Sequence, residues 1–149
     1  MILFDTNVVI DARDQRSVEG ARAADLVAEA VRSGGAAVNA IGFAELCVGQ
    51  PEGADVESEL LAAGFTILDL PAAASWICGR AYTNYRLARR RAGGGEAPKV
   101  PLPDFFIGAH AELMGWPLAT RDTEHYRRYF PNVKLIEPTR ARARGKSST

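Results

Sequence analysis

Four carboxylates stand out by where they fall against the apolar runs of the chain. Asp5 directly follows the apolar run 1–4, and Glu45 comes one helical turn after the run 36–40. Asp104 lies in the first turn of a helical segment at 103–114, and Asp122 follows the run 117–120. Lengths bring the last two together. A helix over 104–114 spans about 16 Å at ~1.5 Å per residue. A strand over 116–120 returns about 16 Å at ~3.3 Å per residue. In an open parallel sheet the ligand site lies off the carboxyl ends of the strands, and all four acids are expected on that edge. A pair of ionised carboxylates ~4 Å apart repels by ~4 kcal/mol at an effective dielectric of about 20, so either some stay protonated or a hard cation sits among them. Asp104 near a helix N-terminus and Asp5 at a strand-to-helix turn both lie in fields that favour the anion, which points to the cation. An all-oxygen donor set without His or Cys suits Mg²⁺, with Mn²⁺ as the other possibility. The chemistry offered is phosphodiester hydrolysis, with the metal activating a bound water and stabilising charge on the leaving oxygen.

The elements that must position these acids follow from hydropathy and turn signals. Residues 1–4 read as a buried strand. Residues 17–32 read as a helix with Ala24, Val27, Ala28 and Val31 inward and Asp25 and Glu29 outward, stopped by Gly34 and Gly35. A strand at 36–40 and a short helix through Phe43, Glu45 and Leu46 follow, then a helix at 54–63 capped by Gly64, and a strand at 65–70. Pro71 opens a long helix to about residue 91, and Gly93 to Pro98 is a flexible loop. The helix at 103–114, the strand at 117–120, a helix at 123–129 and a strand at 133–137 complete the order. Strands alternating with helices imply an α/β domain with a mostly parallel sheet covered on both faces. The basic segment 139–149 is expected to be a disordered tail.

The 149 residues amount to one domain, and 47% hydrophobic content supports a real core. Eighteen Lys and Arg balance eighteen Asp and Glu, but the zero conceals an asymmetry. Residues 1–79 carry 4 basic and 12 acidic side chains, a net of −8; residues 80–149 carry 14 and 6, a net of +8. Such asymmetry points toward a polyanionic partner on one side. No run reaches the ~18–20 apolar residues of a membrane span, and the start lacks the basic region of a signal peptide. Cys47 and Cys78 lack metal-site spacing and are expected in the core of a cytoplasmic protein, and with two isolated histidines they make a zinc site untenable.

Phe4-Asp5-Thr6-Asn7, Ala44-Glu45-Leu46, the segment Pro103-Asp104-Phe105-Phe106-Ile107-Gly108-Ala109-His110-Ala111, and Leu118-Ala119-Thr120-Arg121-Asp122 together resemble the PIN domain. Within it the chain resembles the VapC-type toxins of prokaryotic toxin–antitoxin pairs, over residues 1–138. The resemblance implies a three-layer α/β/α PIN-like fold with a sheet of about five strands, and a Mg²⁺-dependent endoribonuclease. It implies that Asp5, Glu45, Asp104 and Asp122 hold the metal, with Asn7 or Thr120 as supporting polar groups. It further implies an RNA substrate, a homodimer, and a small antitoxin whose C-terminal segment blocks the site. Two departures from the family pattern concern the second element: Gly42 stands where many members carry a hydroxyl three positions before the Glu, and Asn39 where Ser is common. An RNA-processing nuclease without antitoxin, and a PIN-like scaffold that binds RNA or protein without cutting, remain as alternatives. A haloacid-dehalogenase-like or receiver-type phosphotransfer site fits poorly, since Asn7 occupies the place of the second Asp and no suitable Lys completes it.

Other residues have simpler expected uses. Arg86, Arg89, Arg90 and Arg91, with Arg80 and interleaved Tyr82 and Tyr85, form the most basic stretch and are expected to track an RNA backbone or meet an acidic antitoxin. Asp11, Asp14 and Glu124 are expected to be solvated or in local ion pairs, Glu124 being near enough to Asp122 to support it. His110 points away from the acids as a packing or dimer-contact residue. Gly108, facing as Asp104 does, lets the helix approach the sheet. Trp76 and Trp116 are expected in the core or an interface, and His125 on the surface.

Overall fold

The computed structural model describes residues 1–139. The expected basic tail falls almost wholly at 140–149, outside the described residues. Strand β1 (Ile2–Phe4) leads into helix α1 (Thr6–Arg13), then α2 (Val18–Ser33), β2 (Ala36–Asn39), α3 (Ala40–Cys47), α4 (Val56–Ala62) and β3 (Phe65–Leu68). A single 3₁₀ turn (Ala72–Ala74) precedes α5 (Ser75–Arg91), followed by α6 (Pro103–Met114), β4 (Leu118–Ala119), α7 (Thr123–Tyr129) and β5 (Leu135–Ile136). The strands form one sheet in the order β3-β2-β1-β4-β5, every pair parallel. The direction of winding reverses between β1 and β4, which makes the cleft beyond their carboxyl ends the natural ligand position.

Period-two alternation along the strands sorts the core into two layers. Leu3, Ala37 and Leu118 face one side, where Cys78, Tyr82, Phe105, Ile107, Tyr126 and Phe130 pack over them. Phe4, Ala36, Val38 and Ala119 face the other, against Val8, Val9, Ala23, Val27, Leu46, Leu60 and Phe65. The result is the expected three-layer α/β/α arrangement. Side-chain caps fix several helix starts: Ser17 accepts from Gly20 N, Asn39 from Gly42 N, and Asp55 from Ser58 N. Pro103 opens α6, and Gly115 closes it in the left-handed conformation at φ 67°.

The structure departs from the sequence reading at definite places. Hydropathy does not mark α1, although Asp5 is expected at a strand-to-helix turn and caps it. The buried face of α2 is Gly20, Ala23, Val27 and Ala30; Ala28 and Val31 are exposed. Two alanine rows on one helix are indistinguishable by hydropathy, and the end of α1 selects the one with Gly20, where a Cβ would lie 1.7 Å from Asp14 O. β3, β4 and β5 are shorter than expected, and Pro71 opens the 3₁₀ turn rather than α5 itself. Cys78 is buried as expected, its thiol pushed up to about 11 by burial, whereas Cys47 is exposed at the end of α3. Trp116 is half-buried against the His110 ring; Trp76 is 87% exposed, so its core reading fails. Gly108 does permit a close approach, but chiefly to the ring of Phe130: a Cβ there would lie 2.5 Å from Cε2.

Candidate active site

Asp5 is where the site is built. It ends β1 and caps α1, so its side chain is turned back onto its own helix start, with Oδ1 accepting from Thr6 N at 2.8 Å. Oδ2 accepts from Thr120 Oγ1 at 2.8 Å and from Asn7 Nδ2 at 3.2 Å. The carboxylate is only 7% exposed. Burial pushes its pKa above the ordinary 3.8, with Asp104 adding, against the opposing hydrogen bonds from Thr120, Thr6 and Tyr126. Its charge is therefore held but not neutralised.

The other acids are joined to Asp5 through neutral donors or through the field. Glu45, half-buried on α3, accepts from Thr6 Oγ1 at 2.9 Å. Burial raises its pKa, and the charges of Asp5 and Asp104 raise it further against the Thr6 hydrogen bond. Asp122 N donates to Thr120 Oγ1 at 3.0 Å, so one hydroxyl ties Asp5 to the Asp122 backbone. Asn7 Oδ1 accepts from Arg121 N at 3.3 Å, closing the turn after β4 onto α1. Asp104, in the first turn of α6, faces His125 Nε2 at 2.5 Å from its Oδ2. Burial disfavours the imidazolium, but the Asp104 contact and the charges of Asp104, Asp122 and Asp5 outweigh it and raise the His125 pKa above 6.5.

His125 was expected on the surface, and that is corrected: its side chain is 18% exposed, enclosed by the rings of Phe105, Tyr126 and Tyr129. Thr6 and Tyr126 also escaped the sequence reading. The position of Gly42 shows what Thr6 does. A Cβ on Gly42 would lie 3.5 Å from Thr6 Oγ1, so the hydroxyl missing at Gly42 is supplied to Glu45 from α1. Asn39 keeps its polar role: it caps α3 and its Nδ2 meets Nδ1 of the buried His110 at 3.3 Å. The signal for His125 and Tyr126 was their spacing of three and four from Asp122, one helical turn onward.

Among the described residues, no group of three or more His, Cys, Asp or Glu side chains closes tightly enough to hold an ion. The donors still fit a hard divalent cation in kind. Oxygen carboxylates converge on one edge, and two of them carry raised pKa values from uncompensated burial and mutual repulsion.

The basic stretch divides. Arg89 donates from Nε to Gly95 O at 2.8 Å and from Nη1 to Tyr85 OH at 3.2 Å, and Tyr82 OH donates to Pro98 O at 2.5 Å. These bonds fasten the 92–102 loop to α5, so Arg89 holds the segment that delivers Asp104. Arg90 and Arg91 are exposed and Arg86 is half-buried, while Arg80 pairs with Glu112 at 3.7 Å. Asp11 is ion-paired, but across the fold rather than locally, with Arg121 Nε at 2.6 Å; Asp14 lies 3.6 Å from Arg16 Nε, and Glu124 is exposed.

A parallel 3-2-1-4-5 sheet with acids gathered off β1 and β4 defines the class, and the family profile of the PIN domain matches residues 2–131. The chain belongs to the PIN domain family. No curated protein sequence matches it significantly. Solved structures are similar in fold. VapBC2 from Rickettsia felis, bound to a promoter DNA fragment, aligns with TM-score 0.65 at 20% identity, over 92% of this chain and 98% of that one. DNA-bound VapBC from Salmonella typhimurium gives 0.64 at 17% identity, over 93% and 98%. FitAcB from Neisseria gonorrhoeae gives 0.61 at 22% identity, over 93% and 98%. Among the described residues no helix is long and apolar enough to cross a membrane.

Proposed function

We propose that the chain is a Mg²⁺-dependent endoribonuclease, the toxin of a VapBC-type pair, inhibited by a small antitoxin and acting as a cytoplasmic homodimer. Its nuclease domain would comprise residues 1–138. The observation that carries the reading is Asp5: a buried carboxylate at the switch point, oriented by three donors and left without a counter-charge of its own among the described residues. Fold likeness to toxin–antitoxin complexes supports the antitoxin partner.

Asp5, Glu45, Asp104 and Asp122 would hold the cation, which when bound supplies an activated water and stabilises charge on the leaving oxygen. The protein's own groups do the rest. Thr6 N, Thr120 and Asn7 fix Asp5; the Thr6 hydroxyl fixes Glu45; and His125 balances Asp104. Arg90 and Arg91, with Arg86, would follow an RNA backbone at the end of α5, where each phosphate contact releases a counterion and makes binding salt-dependent. Water as nucleophile gives 5′-phosphate and 3′-hydroxyl ends, since the ribose 2′-OH takes no part.

The test is RNA cleavage by wild type and Asp5→Asn, with and without Mg²⁺. Cleavage confined to wild type with Mg²⁺ is expected. Undiminished cleavage by a folded Asp5→Asn protein, or products ending in a 2′,3′-cyclic phosphate, would sink the reading. No cleavage with intact RNA binding would favour the non-cutting scaffold. Growth arrest on expression, relieved by a small adjacent reading frame, separates a toxin from a processing nuclease.

A further inference from the structure

Trp76, in the first turn of α5, is the most exposed large hydrophobic side chain among the described residues, at 87%. Tryptophan is highly buried on average, and no part of the core uses this one. It does not stand alone. At ~3.6 residues per turn, Thr83, Leu87, Arg90 and Arg91 return to within about 60° of it on the helix circumference. All four are exposed. Two hollows border this stripe. One, of about 650 Å³, is lined by Trp76, Gly79, Arg80, Thr83 and Asn84. The other, of about 360 Å³, shares Arg80 and Asn84 with it and runs on to Tyr129 and Asn132. A Cβ added at Gly79 would meet nothing within 4 Å, so the space one turn from the indole is open.

Charge selects what this face can receive. α5 carries Arg80, Arg86, Arg89, Arg90 and Arg91 and no Asp or Glu. Among the described residues the one acid lining the two hollows, Glu112, faces Arg80 at 3.7 Å. A second copy docked here about a two-fold axis would set the same arginines against each other. A polyanion meets no such cost. From Trp76 to Arg91 the stripe spans about 22 Å at ~1.5 Å per residue, the rise of about six stacked nucleotides at ~3.4 Å each. Its Arg91 end adjoins the loop that Arg89 fastens ahead of Asp104.

We propose that α5 is a track for single-stranded RNA flanking the cleaved bond, with phosphates on Arg90 and Arg91 and a base stacked on Trp76. Exposed aromatic faces beside a basic groove bind single strands in this way, and Asn84 and Asn132 border the hollow with amides that can meet a base edge. A duplex keeps its bases stacked on one another and offers the indole no free face. The inference rests on reading the chain as a ribonuclease, and it adds a base contact remote from the acids.

The experiment measures fluorescence anisotropy of a labelled mixed-sequence RNA of about 12 nucleotides, single-stranded and annealed to its complement. Wild type is titrated in EDTA to prevent cleavage, and Asp5→Asn in Mg²⁺. Adding Trp76→Ala to either should weaken single-strand binding about five- to hundredfold, and Trp76→Phe should recover most of the loss. Salt dependence should stay as in the parent protein, because no phosphate contact is removed, and duplex binding should not change. Equal single-strand affinities with and without Trp76→Ala overturn the proposal and leave RNA as the substrate. Equal losses on single strand and duplex, or a flatter salt dependence, overturn it too, since stacking would not be the cause. A shift of Trp76→Ala from dimer to monomer in sedimentation would make the face an interface between copies and also overturn it. If neither parent protein binds either RNA, the ribonuclease reading itself fails and the proposal falls with it.

Discussion

Thr120→Val should expose how strongly the site depends on a single hydroxyl. Thr120 is fully buried; its Oγ1 donates to Asp5 Oδ2 at 2.8 Å and accepts from Asp122 N at 3.0 Å. Valine keeps the shape, so packing is retained and the two bonds are what is lost. A hydrogen bond to a charged acceptor contributes about 1.5–3 kcal/mol, and Asp122 N, being only part-buried, can turn to water at small further cost. A loss of about 2–3 kcal/mol corresponds to a melting temperature roughly 4–12 °C lower for a domain of this size. Thr120→Ser keeps the hydroxyl and removes one buried methyl, about 1 kcal/mol, or ~2–4 °C. The effect also has a pH signature. Burial, with Asp104 adding, holds the Asp5 pKa above 3.8, and the Thr120 bond pulls it down. A carboxyl with a raised folded pKa contributes stability below its unfolded pKa, and that contribution disappears as pH rises through the folded value. Valine raises the folded value further, so its deficit is full at neutral pH and should narrow as pH falls toward 3.8. Melts of the metal-free variants in EDTA across that range measure this. If valine and serine melt together, or the valine deficit is independent of pH, the hydroxyl does not hold Asp5 as described.

Two further outcomes follow from the same region. Gly108→Ala gains about 0.5–1 kcal/mol of helix propensity but sets a Cβ 2.5–2.8 Å from three ring atoms of the fully buried Phe130. Overpacking of about 1–3 kcal/mol dominates, so chemical denaturation should show a net loss of about 1–2 kcal/mol, and a variant more stable than wild type would mean that the ring yields freely. His125→Phe removes the partner of Asp104. Because the His125 pKa stands above 6.5, its stabilising contribution is complete below 6.5 and fades as pH rises through the folded value. The variant should therefore be less stable than wild type at about pH 6, with a gap that closes at higher pH, and should bind Mn²⁺ more tightly at the lower pH; a pH-independent gap contradicts the ion pair.

The order of elements along the chain was legible because each strand is a short apolar run ended by a polar residue, and two of the four acids, Asp5 and Asp122, stand at the ends of such runs. α1 was harder to read. Thr6-Asn7-Val8-Val9-Ile10 is β-branched with an Asn, a composition that suits a strand. Its helical state is set by the Asp5 cap and by burial of Val8 and Val9 against Phe4 and Val38. Local propensity and tertiary burial disagree there, and burial decides. In α2 the disagreement concerns rotation alone, because Ala23 and Ala30 cost the same to bury as Ala24 and Ala28 until a neighbour's shape chooses between them.

The acids of the site were legible, and the groups that hold them mostly were not. Acids announce themselves by position after apolar runs, but their partners are ordinary residues whose roles exist only in three dimensions. Thr6 serves Glu45 across 39 positions and Thr120 serves Asp5 across 115. His125 looks like a polar residue on a short surface helix until α6 brings Asp104 against it. These partners share a property that bears on function. Thr6, Asn7 and Thr120 orient charge without neutralising it, and the one basic group in contact among the described residues, His125 against Asp104, can itself lose its charge. A fold that needed these acids only as structural caps would do better with permanent cations beside them. Keeping Asp5 buried and Glu45 half-buried, both oriented and unneutralised, makes sense where the missing positive charge comes from outside the chain.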